Sequence, residues 1–276
     1  MVEVGMNRRR FLGALAAAST LGRAQSKLPG PPRVRTGPLL CLDSRMVEIE
    51  YSQLGTVLNG LGFDGCDLSV QPGGTVAPDQ SPVDLIRAIE IMSGNQLEVP
   101  VITTSFFSVA EAWARNVLGL SARSGVAFFR TGYANAASER LAQRKIDLIG
   151  LMSYGRAAGI GMALPYPAAE PVIRDLDPQW AGYDFDPSQG SIAAALPRTR
   201  IISLRDRKPD GTPCPLGEGK VDWPAFFGAL AHARFSGPLT ISISYPAEDR
   251  LGAIKNDLAF ARQQLNAAYQ KEVERS

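Results

Sequence analysis

The sequence predicts an α/β protein, a single (β/α)8 TIM barrel preceded by an export signal. Short apolar runs alternate with longer segments of helical spacing over about 230 residues, which is the length of eight strand–helix units. Most runs are apolar throughout, as strands are in a parallel sheet that is buried on both faces. The alternative is a doubly wound open sheet, but its frequent G-x-G-x-x-G fingerprint follows no predicted strand.

The N-terminus is predicted to be an export signal. Asn7–Gly13 reads N-R-R-R-F-L-G, and an apolar run without acids continues to Gly22. A basic start, a short apolar run and small residues near Ala24 describe a signal peptide, and the paired arginines resemble a twin-arginine signal. The alternative is a basic amphipathic surface helix, but the run has no polar face. We expect residues 1–24 to be removed and the mature chain to be periplasmic or extracellular, without stable membrane insertion.

The remaining chain divides into a linker at residues 25–38, a barrel at 39–270 and a polar tail at 271–276. Each predicted strand is a short apolar run, and several end in a charged residue. The predicted strands are Leu39–Leu42, Gly65–Val70, Val99–Thr103, Val126–Phe129, Ile160–Leu164, a run beginning at Trp180, Arg200–Leu204 and Pro238–Ile243. Because parallel strands meet at one edge, their carboxyl ends should form a common mouth.

The predicted helices rest on spacing, length and start signals. The first spaces its leucines helically, the second begins at a Ser-Pro pair, and the fourth is too long for a strand. The predicted helices are Glu50–Leu61, Val83–Met92, Val109–Leu120, Ser138–Ala158, Ala168–Leu176, Asp222–Ala233 and Leu251–Ala268, and Ser191–Leu196 has room for at most two helical turns.

Composition excludes several classes of function. The net charge is only +2, from 29 basic and 27 acidic residues, so no nucleic-acid surface is expected. His232 is the single histidine and lies on a predicted outer helix, which excludes a site of several imidazoles and a Ser-His-Asp triad. The cysteines, Cys41, Cys66 and Cys214, are too few for a disulfide framework, although Cys41 and Cys66 could pair if their strands are neighbours.

Several segments resemble the xylose-isomerase-like sugar phosphate isomerase/epimerase family. The most specific are L-G-F-D-G-C-D-L, which begins at Leu61, and P-L-G-E-G, which begins at Pro215. Weaker resemblances are at Val126–Tyr133, Gly182–Gln189, Ile201–Asp206 and Phe235–Pro246. The resemblance covers about residues 39 to 268 and implies the same barrel with a site at its mouth.

The resemblance also implies a divalent metal held by Glu, Asp, His and Glu after strands five to eight. In this sequence the four positions are Pro165, Asp186, Ser203 and Ser244, so only Asp186 remains of the set. A further family histidine falls at Gln189. One carboxylate does not hold a divalent ion. We therefore expect no metal and no other cofactor.

The residues at the predicted strand ends give the candidate site. The candidate catalytic residues are Asp186, Asp206 and Glu218, and the candidate ligand-binding residues are Arg130, Tyr133, Tyr166, Gln189, Arg205, Ser244 and Tyr245. The arginines suit an anion or sugar hydroxyls, and the tyrosines suit a sugar face. For each the alternative is structural. In particular, we favour ion pairs of Asp184 and Asp186 with Arg130 or Arg205.

Two hypotheses of function remain, and they leave open whether the protein is an enzyme. The first is an exported barrel protein with a degraded metal site, a pseudoenzyme that binds a sugar or polyol without metal-dependent isomerisation. The second is an active carbohydrate isomerase, epimerase or lyase with an atypical site around Asp186, Asp206, Arg130 and Glu218. The expected partner is a sugar-like small molecule, and the sequence indicates no oligomeric state.

Overall fold

The computed structural model describes residues 37–133 and 141–275, which form one closed barrel. Its eight strands are all parallel and follow one another around the barrel in chain order, which confirms the predicted fold. They are β1 (Leu40–Asp43), β2 (Gly65–Ser69), β3 (Glu98–Thr103), β4 (Phe128–Arg130), β5 (Gly161–Pro165), β6 (Ala181–Phe185), β7 (Thr199–Leu204) and β10 (Leu239–Ile241). The predicted export signal and most of the predicted linker lie outside the described residues.

Seven α-helices occur in the described part of the chain. They are α1 (Tyr51–Leu61), α2 (Ser81–Gly94), α3 (Ala114–Arg123), α4 (Leu141–Ala158), α5 (Glu170–Ile173), α6 (Trp223–His232) and α7 (Arg250–Arg275). The predicted start of the fourth helix, residues 138–140, falls outside the described residues. The last helix continues to Arg275, well past its predicted end at Ala268 and through most of the predicted tail. None of the helices in the two described ranges is both long and apolar enough to cross a membrane.

The predicted start of the third helix at Val109 is wrong. The Glu111 carboxylate accepts hydrogen bonds from the backbone N–H groups of Phe107 and Ser108, which folds this segment into turns. Trp113 then has a φ of 68°, a left-handed conformation that no α-helix contains. The helix therefore begins only at Ala114.

The two helices predicted on either side of β6 are shorter than expected. α5 covers only Glu170–Ile173, because the N–H groups of Asp175 and Leu176 bond to carbonyls three residues back, at 3.4 and 3.1 Å, instead of four. Between β6 and β7 the chain forms two 3-10 turns, at Pro187–Gln189 and Leu196–Arg198. This connection thus covers its side of the barrel with turns instead of an α-helix.

A small antiparallel ribbon follows β7 and was not predicted. β8 (Asp206–Arg207) pairs with β9 (Pro213–Cys214) around a turn that includes Gly211, whose φ is 87°. Two-residue strands leave no periodic pattern, but the intervening K-P-D-G is a turn signal that could have revealed the hairpin. The ribbon places the charged residues after β7 beside the barrel mouth.

The side chains that face the barrel interior form layers, because successive residues of a strand point to opposite faces. Val101, Ala163 and Ile201 come from alternate strands and pack together with Phe128 as a separate apolar cluster. Two residues further along, on the same face, β3, β4 and β7 carry the polar or charged residues Thr103, Arg130 and Ser203, and β5 carries Pro165. The polar layer above this cluster is the floor of the mouth.

Candidate ligand site at the barrel mouth

Arg130 occupies the polar layer and joins strands from both sides of the barrel. Its Nε donates to Asp184 Oδ2 at 2.8 Å, and its Nη1 forms an ion pair with Asp67. The same Nη1 donates to Thr103 Oγ1 at 3.2 Å, and Nη2 donates to Ser203 Oγ at 3.2 Å. Thr103 and Ser203 in turn donate to Asp67 and Asp184, each at 2.8 Å. One network therefore links β2, β3, β4, β6 and β7.

This network is buried, so each charged side chain in it needs its partners to stabilise its charge. Asp67 has no solvent exposure, and the side chain of Arg130 is 12% exposed. A buried carboxylate without a partner is costly, and the guanidinium supplies that partner to Asp67 and Asp184. The sequence predicted Arg130 as a ligand-binding residue, and the structure places most of its hydrogen-bonding capacity inside the protein.

Asp43 at the end of β1 forms a second buried cluster. Arg45 donates to it from the backbone N, from Nε at 3.0 Å and from Nη2 at 2.6 Å, and Ser242 Oγ donates at 2.9 Å. Burial alone would raise the pKa of Asp43, but the hydrogen bonds and the charge of Arg45 outweigh it and lower that pKa. Asp43 is therefore held as a carboxylate at neutral pH.

Asp186 lies after β6, where the mouth opens. Its Oδ1 accepts a hydrogen bond from the Ser188 backbone N at 2.8 Å, and its Oδ2 lies 3.6 Å from Arg205 Nη1. Together with the Arg130–Asp184 pair, this is the arrangement of ion pairs that the sequence favoured. Asp184, Asp186 and Arg205 line the same depression at the mouth.

Asp206 faces away from the mouth and fastens the P-L-G-E-G loop. Its carboxylate is 1% exposed and accepts hydrogen bonds from Arg207 N, Gly217 N, Gly219 N, Val221 N and Trp223 Nε1. A Cβ on Gly219 would lie 2.0 Å from an Asp206 oxygen, which explains the glycine of this loop. Glu218, the neighbouring candidate, is exposed at the loop surface. The structure therefore commits the Asp206 carboxylate to the loop that carries Glu218, and Asp206 does not line the depression that Asp186 lines.

The remaining candidates occupy different environments. Tyr133 and Tyr166 are half-buried at the mouth, where Tyr133 donates to the Ala168 carbonyl at 3.1 Å. Gln189 and Ser244 are exposed there. Tyr245 instead is buried and donates to Asp257 at 3.0 Å, so its hydroxyl is used within the protein.

Three adjoining depressions make up the mouth. The largest has a volume of about 640 Å3 above β5 and β6, the second about 320 Å3 above Arg130, and the third about 270 Å3 beside β1 and β10. Pro165 and Asp184 line the first two, Arg45 lines the second and third, and Arg205 lines the first and third. The combined space suits a small polar molecule. Sequence reasoning missed Arg45, although it follows the predicted end of the first strand by three residues.

The residues at the implied metal positions do not fit a divalent metal. Pro165 and the exposed Ser244 bring no charge, Ser203 Oγ is engaged with Asp184, and Asp186 already has a backbone donor and Arg205 as partners. Within residues 37–133 and 141–275, no three His, Cys, Asp or Glu side chains are grouped as metal ligands. The guanidinium of Arg130 also occupies the space between Asp67 and Asp184 and pairs with both carboxylates.

Comparison with known proteins relates this chain to others through its fold. No family model and no curated protein matches it. Among solved structures it resembles a xylose isomerase domain protein from Planctomyces limnophilus, at 17% identity and a TM-score of 0.66 over 88% of this chain and 100% of that one. It also resembles an L-ribulose 3-epimerase, at 15% identity and a TM-score of 0.65 over 87% and 98%.

A sugar phosphate isomerase/epimerase from Parabacteroides distasonis ATCC 8503 is 10% identical, with a TM-score of 0.65 over 83% of this chain and 97% of that one. At such identities the likeness concerns the fold alone. The chain is thus a single parallel (β/α)8 barrel whose structural neighbours are xylose isomerase-like TIM barrel and sugar phosphate isomerase/epimerase proteins.

Proposed function

We propose that this protein is an exported barrel protein that binds a sugar or polyol at its mouth without metal-dependent isomerisation. The observation that carries the proposal is the position of Arg130, whose guanidinium fills the polar layer between Asp67 and Asp184. A guanidinium stays protonated at every physiological pH, so it does not act as a base and does not share this space with a divalent cation.

The lining of the mouth supports a sugar-like ligand. Tyr133 and Tyr166 offer aromatic surface beside hydrogen-bonding groups of Gln189, Arg205 and Ser244. A sugar has apolar C–H faces and a rim of hydroxyls, so it needs both kinds of surface. We propose these five residues, and no metal or other cofactor, as the ligand-binding set.

The carboxylates support binding without isomerisation. Moving a proton between adjacent carbons requires an acid or base within reach of the ligand. Asp184 is paired with Arg130, and Asp206 is enclosed by five donors. Asp186 and Glu218 are the carboxylates left for chemistry among the four.

The alternative is a carbohydrate isomerase, epimerase or lyase with an atypical site. One observation favours it: Asp186 lines the largest of the three mouth depressions, and among the described residues its Oδ2 has only the 3.6 Å contact with Arg205. Under this alternative Asp186 acts as the base and Arg205 steadies a developing negative charge.

Metal content and sugar binding test the proposal together. The mature chain is purified with and without added Mn, Mg, Zn and Co, and its metal is measured by mass spectrometry. A panel of aldoses, ketoses and polyols is screened by thermal shift, which responds to any ligand of the folded state. We expect substoichiometric metal, a raised melting temperature with at least one sugar, and no conversion of that sugar.

Two results would contradict the proposal. Stoichiometric metal that is lost in Asp186→Ala would show a working metal site. If the wild type converts a sugar, and Asp186→Ala still binds that sugar but no longer converts it, the alternative is established. Export is tested separately by replacing Arg8 and Arg9 with lysine, which should keep the protein in the cytoplasm if the twin-arginine signal operates.

A further inference from the structure

A cup beside the strand ends of β1, β7 and β10 carries more positive charge than the rest of the mouth. Its volume is about 270 Å3, and its charged lining is Arg45, Arg205, Arg207 and Asp43. Ser242 and Ser244 add hydroxyl groups. Three guanidiniums therefore line one cavity with a single carboxylate.

The strand register explains why these residues meet. Leu42 of β1 is aligned with Ile241 of β10, which is aligned with Leu204 of β7. The next residue along each strand is therefore Asp43, Ser242 or Arg205, and the three form one row at the edge of the barrel. Arg45 and Arg207 follow that row by two residues in their own chains.

The cup contains donors that the protein does not use. Arg207 donates from Nη1 to the Gly211 carbonyl at 3.0 Å, whereas its Nε is buried and has no hydrogen-bond partner among the described residues. Within residues 37–133 and 141–275, Arg205 makes only the 3.6 Å contact with Asp186, and its side chain is 32% exposed. Buried donors usually have partners, so the Arg207 guanidinium, which lines the cup, has hydrogen-bonding capacity that the described residues do not use.

The carboxylates near the cup do not cancel its charge. Asp43 is already bound by Arg45 and Ser242, and Asp186 approaches Arg205 from the neighbouring depression. Asp206 directs its carboxylate into the P-L-G-E-G loop. The surplus in the cup is therefore positive.

We propose that this cup binds an oxyanion, a carboxylate or a phosphate, carried by the ligand of the mouth. Planar guanidinium forks match the paired oxygens of both groups, and serine hydroxyls complete the donor set. The inference rests on the proposed function for the rest of the ligand, and it narrows the ligand to an anionic sugar, either a sugar acid or a phosphorylated sugar.

Isothermal titration calorimetry of the mature chain at constant ionic strength tests the cup with four probes. Inorganic phosphate tests the cup alone, and glucose tests sugar binding alone. Glucuronate and glucose 6-phosphate distinguish a carboxylate from a phosphate. The variants are Arg205→Gln and Arg207→Gln, with Arg205→Lys to retain the charge. Arg156→Gln is the matched control, because Arg156 also makes one long ion pair, 3.8 Å to Asp177, away from the mouth at the end of α4.

We expect phosphate and at least one anionic sugar to bind the wild type. Arg205→Gln and Arg207→Gln should each weaken them about 10-fold or more, because a charge-assisted hydrogen bond is lost. Arg205→Lys should recover part of the affinity, and Arg156→Gln should change nothing. Circular dichroism checks that each variant is folded. If either Arg205→Gln or Arg207→Gln does not fold, the other variant is used for the test.

The outcomes separate the cup from the proposed function. If phosphate does not bind, or if Arg156→Gln weakens it as much as Arg205→Gln does, the cup is not an oxyanion site. If glucose binds as tightly as both anionic sugars, the mouth binds sugars but the cup plays no part. If phosphate binding depends on Arg205 while none of the sugars binds, the cup stands and the sugar proposal fails.

Discussion

Nε of Arg130 on β4 donates to Oδ2 of Asp184 on β6 at 2.8 Å, and thus passes the intervening strand β5. This is possible because the β5 residue aligned with Arg130 is Ala163, which leaves room in the barrel interior. The pair closes the polar layer above the apolar cluster of Val101, Ala163 and Ile201. The floor of the mouth is therefore an ion-pair network.

Arg130→Met should strongly destabilise the protein. The change leaves Asp67 and Asp184 without their cation, and removing one partner of a buried ion pair costs about 3–5 kcal/mol. The free energy of unfolding from urea titration measures this directly. The control is Arg156→Gln, whose exposed ion pair should contribute less than about 1 kcal/mol.

The triple variant Asp67→Asn, Arg130→Met, Asp184→Asn tests whether the stabilising effect of Arg130 comes from its charge or from its packing. Removing all three charges eliminates the uncompensated carboxylates, so it should recover most of the stability that Arg130→Met loses. If the triple variant is as unstable as the single one, packing around Arg130 and not its charge stabilises the barrel.

Asp206→Ala should detach the P-L-G-E-G loop. Five donors lose their acceptor, of which Trp223 Nε1, bonded at 2.9 Å, is buried and the four backbone N–H groups are partly buried. We expect a loss of about 3 kcal/mol or more in the free energy of unfolding, since each unsatisfied buried donor costs about 1–3 kcal/mol. Glu218→Gln, an exposed change in the same loop, should stay within about 0.5 kcal/mol. Equal stability of the two variants would contradict the anchoring role of Asp206.

The fold was predictable because its signals are local and repeated. Apolar runs such as Leu39–Leu42 and Ile160–Leu164 are read from composition alone, and their alternation with helices leaves few topologies. The start of α3 was not predictable, because the sequence around Trp113 fits a helix whereas the backbone of Trp113 is left-handed. The turns between β6 and β7 were anticipated only as a segment too short for a proper helix.

The candidate site was predictable in part. Charged residues at strand ends, such as Arg130 and Asp186, are visible in the sequence. So is the replacement of the other three metal ligands that the family resemblance implies beside Asp186. The direction of a side chain is not, and it decides that Asp206 faces the P-L-G-E-G loop while Asp184 faces the barrel interior. The sequence does not distinguish neutral polar residues such as Thr103 and Ser242 from others of their type. Only the strand register shows that they lie beside a carboxylate.

The cysteines provide a test of the barrel interior. Cys41, Cys66 and Cys214 are buried and form no disulfide among the described residues, and burial raises the pKa of the Cys66 thiol well above its usual range. In native buffer a thiol reagent should therefore react slowly with all three, and in denaturant it should titrate three thiols per chain. One thiol per chain in denaturant would instead show that Cys41 and Cys66 are joined in a disulfide.

Asp257 should make stability depend on pH in the mildly acidic range. It is buried on α7 and accepts hydrogen bonds from Leu216 N and the Tyr245 hydroxyl. Burial raises its pKa from 3.8 to about 6, with further contributions from the negative charges of Glu218 and Asp206, and the hydrogen bonds offset only part of this. The folded state therefore binds more protons than the unfolded state between these two values. The resulting stability is fully present below pH 3.8 and is lost as pH rises to about 6.

Asp257→Asn removes this titration while it keeps an oxygen for the Leu216 N–H group and a polar partner for Tyr245. Relative to the variant, the wild type should lose about 2 kcal/mol of unfolding free energy between roughly pH 4 and pH 7, after allowance for solvent screening. Urea titrations of both proteins across this range measure the difference, in which the opposite contribution of Asp43 cancels. Glu218→Gln should shift the wild-type loss to lower pH, because it removes one charge that raises the Asp257 pKa. Parallel curves for wild type and Asp257→Asn would show that Asp257 does not titrate in this range.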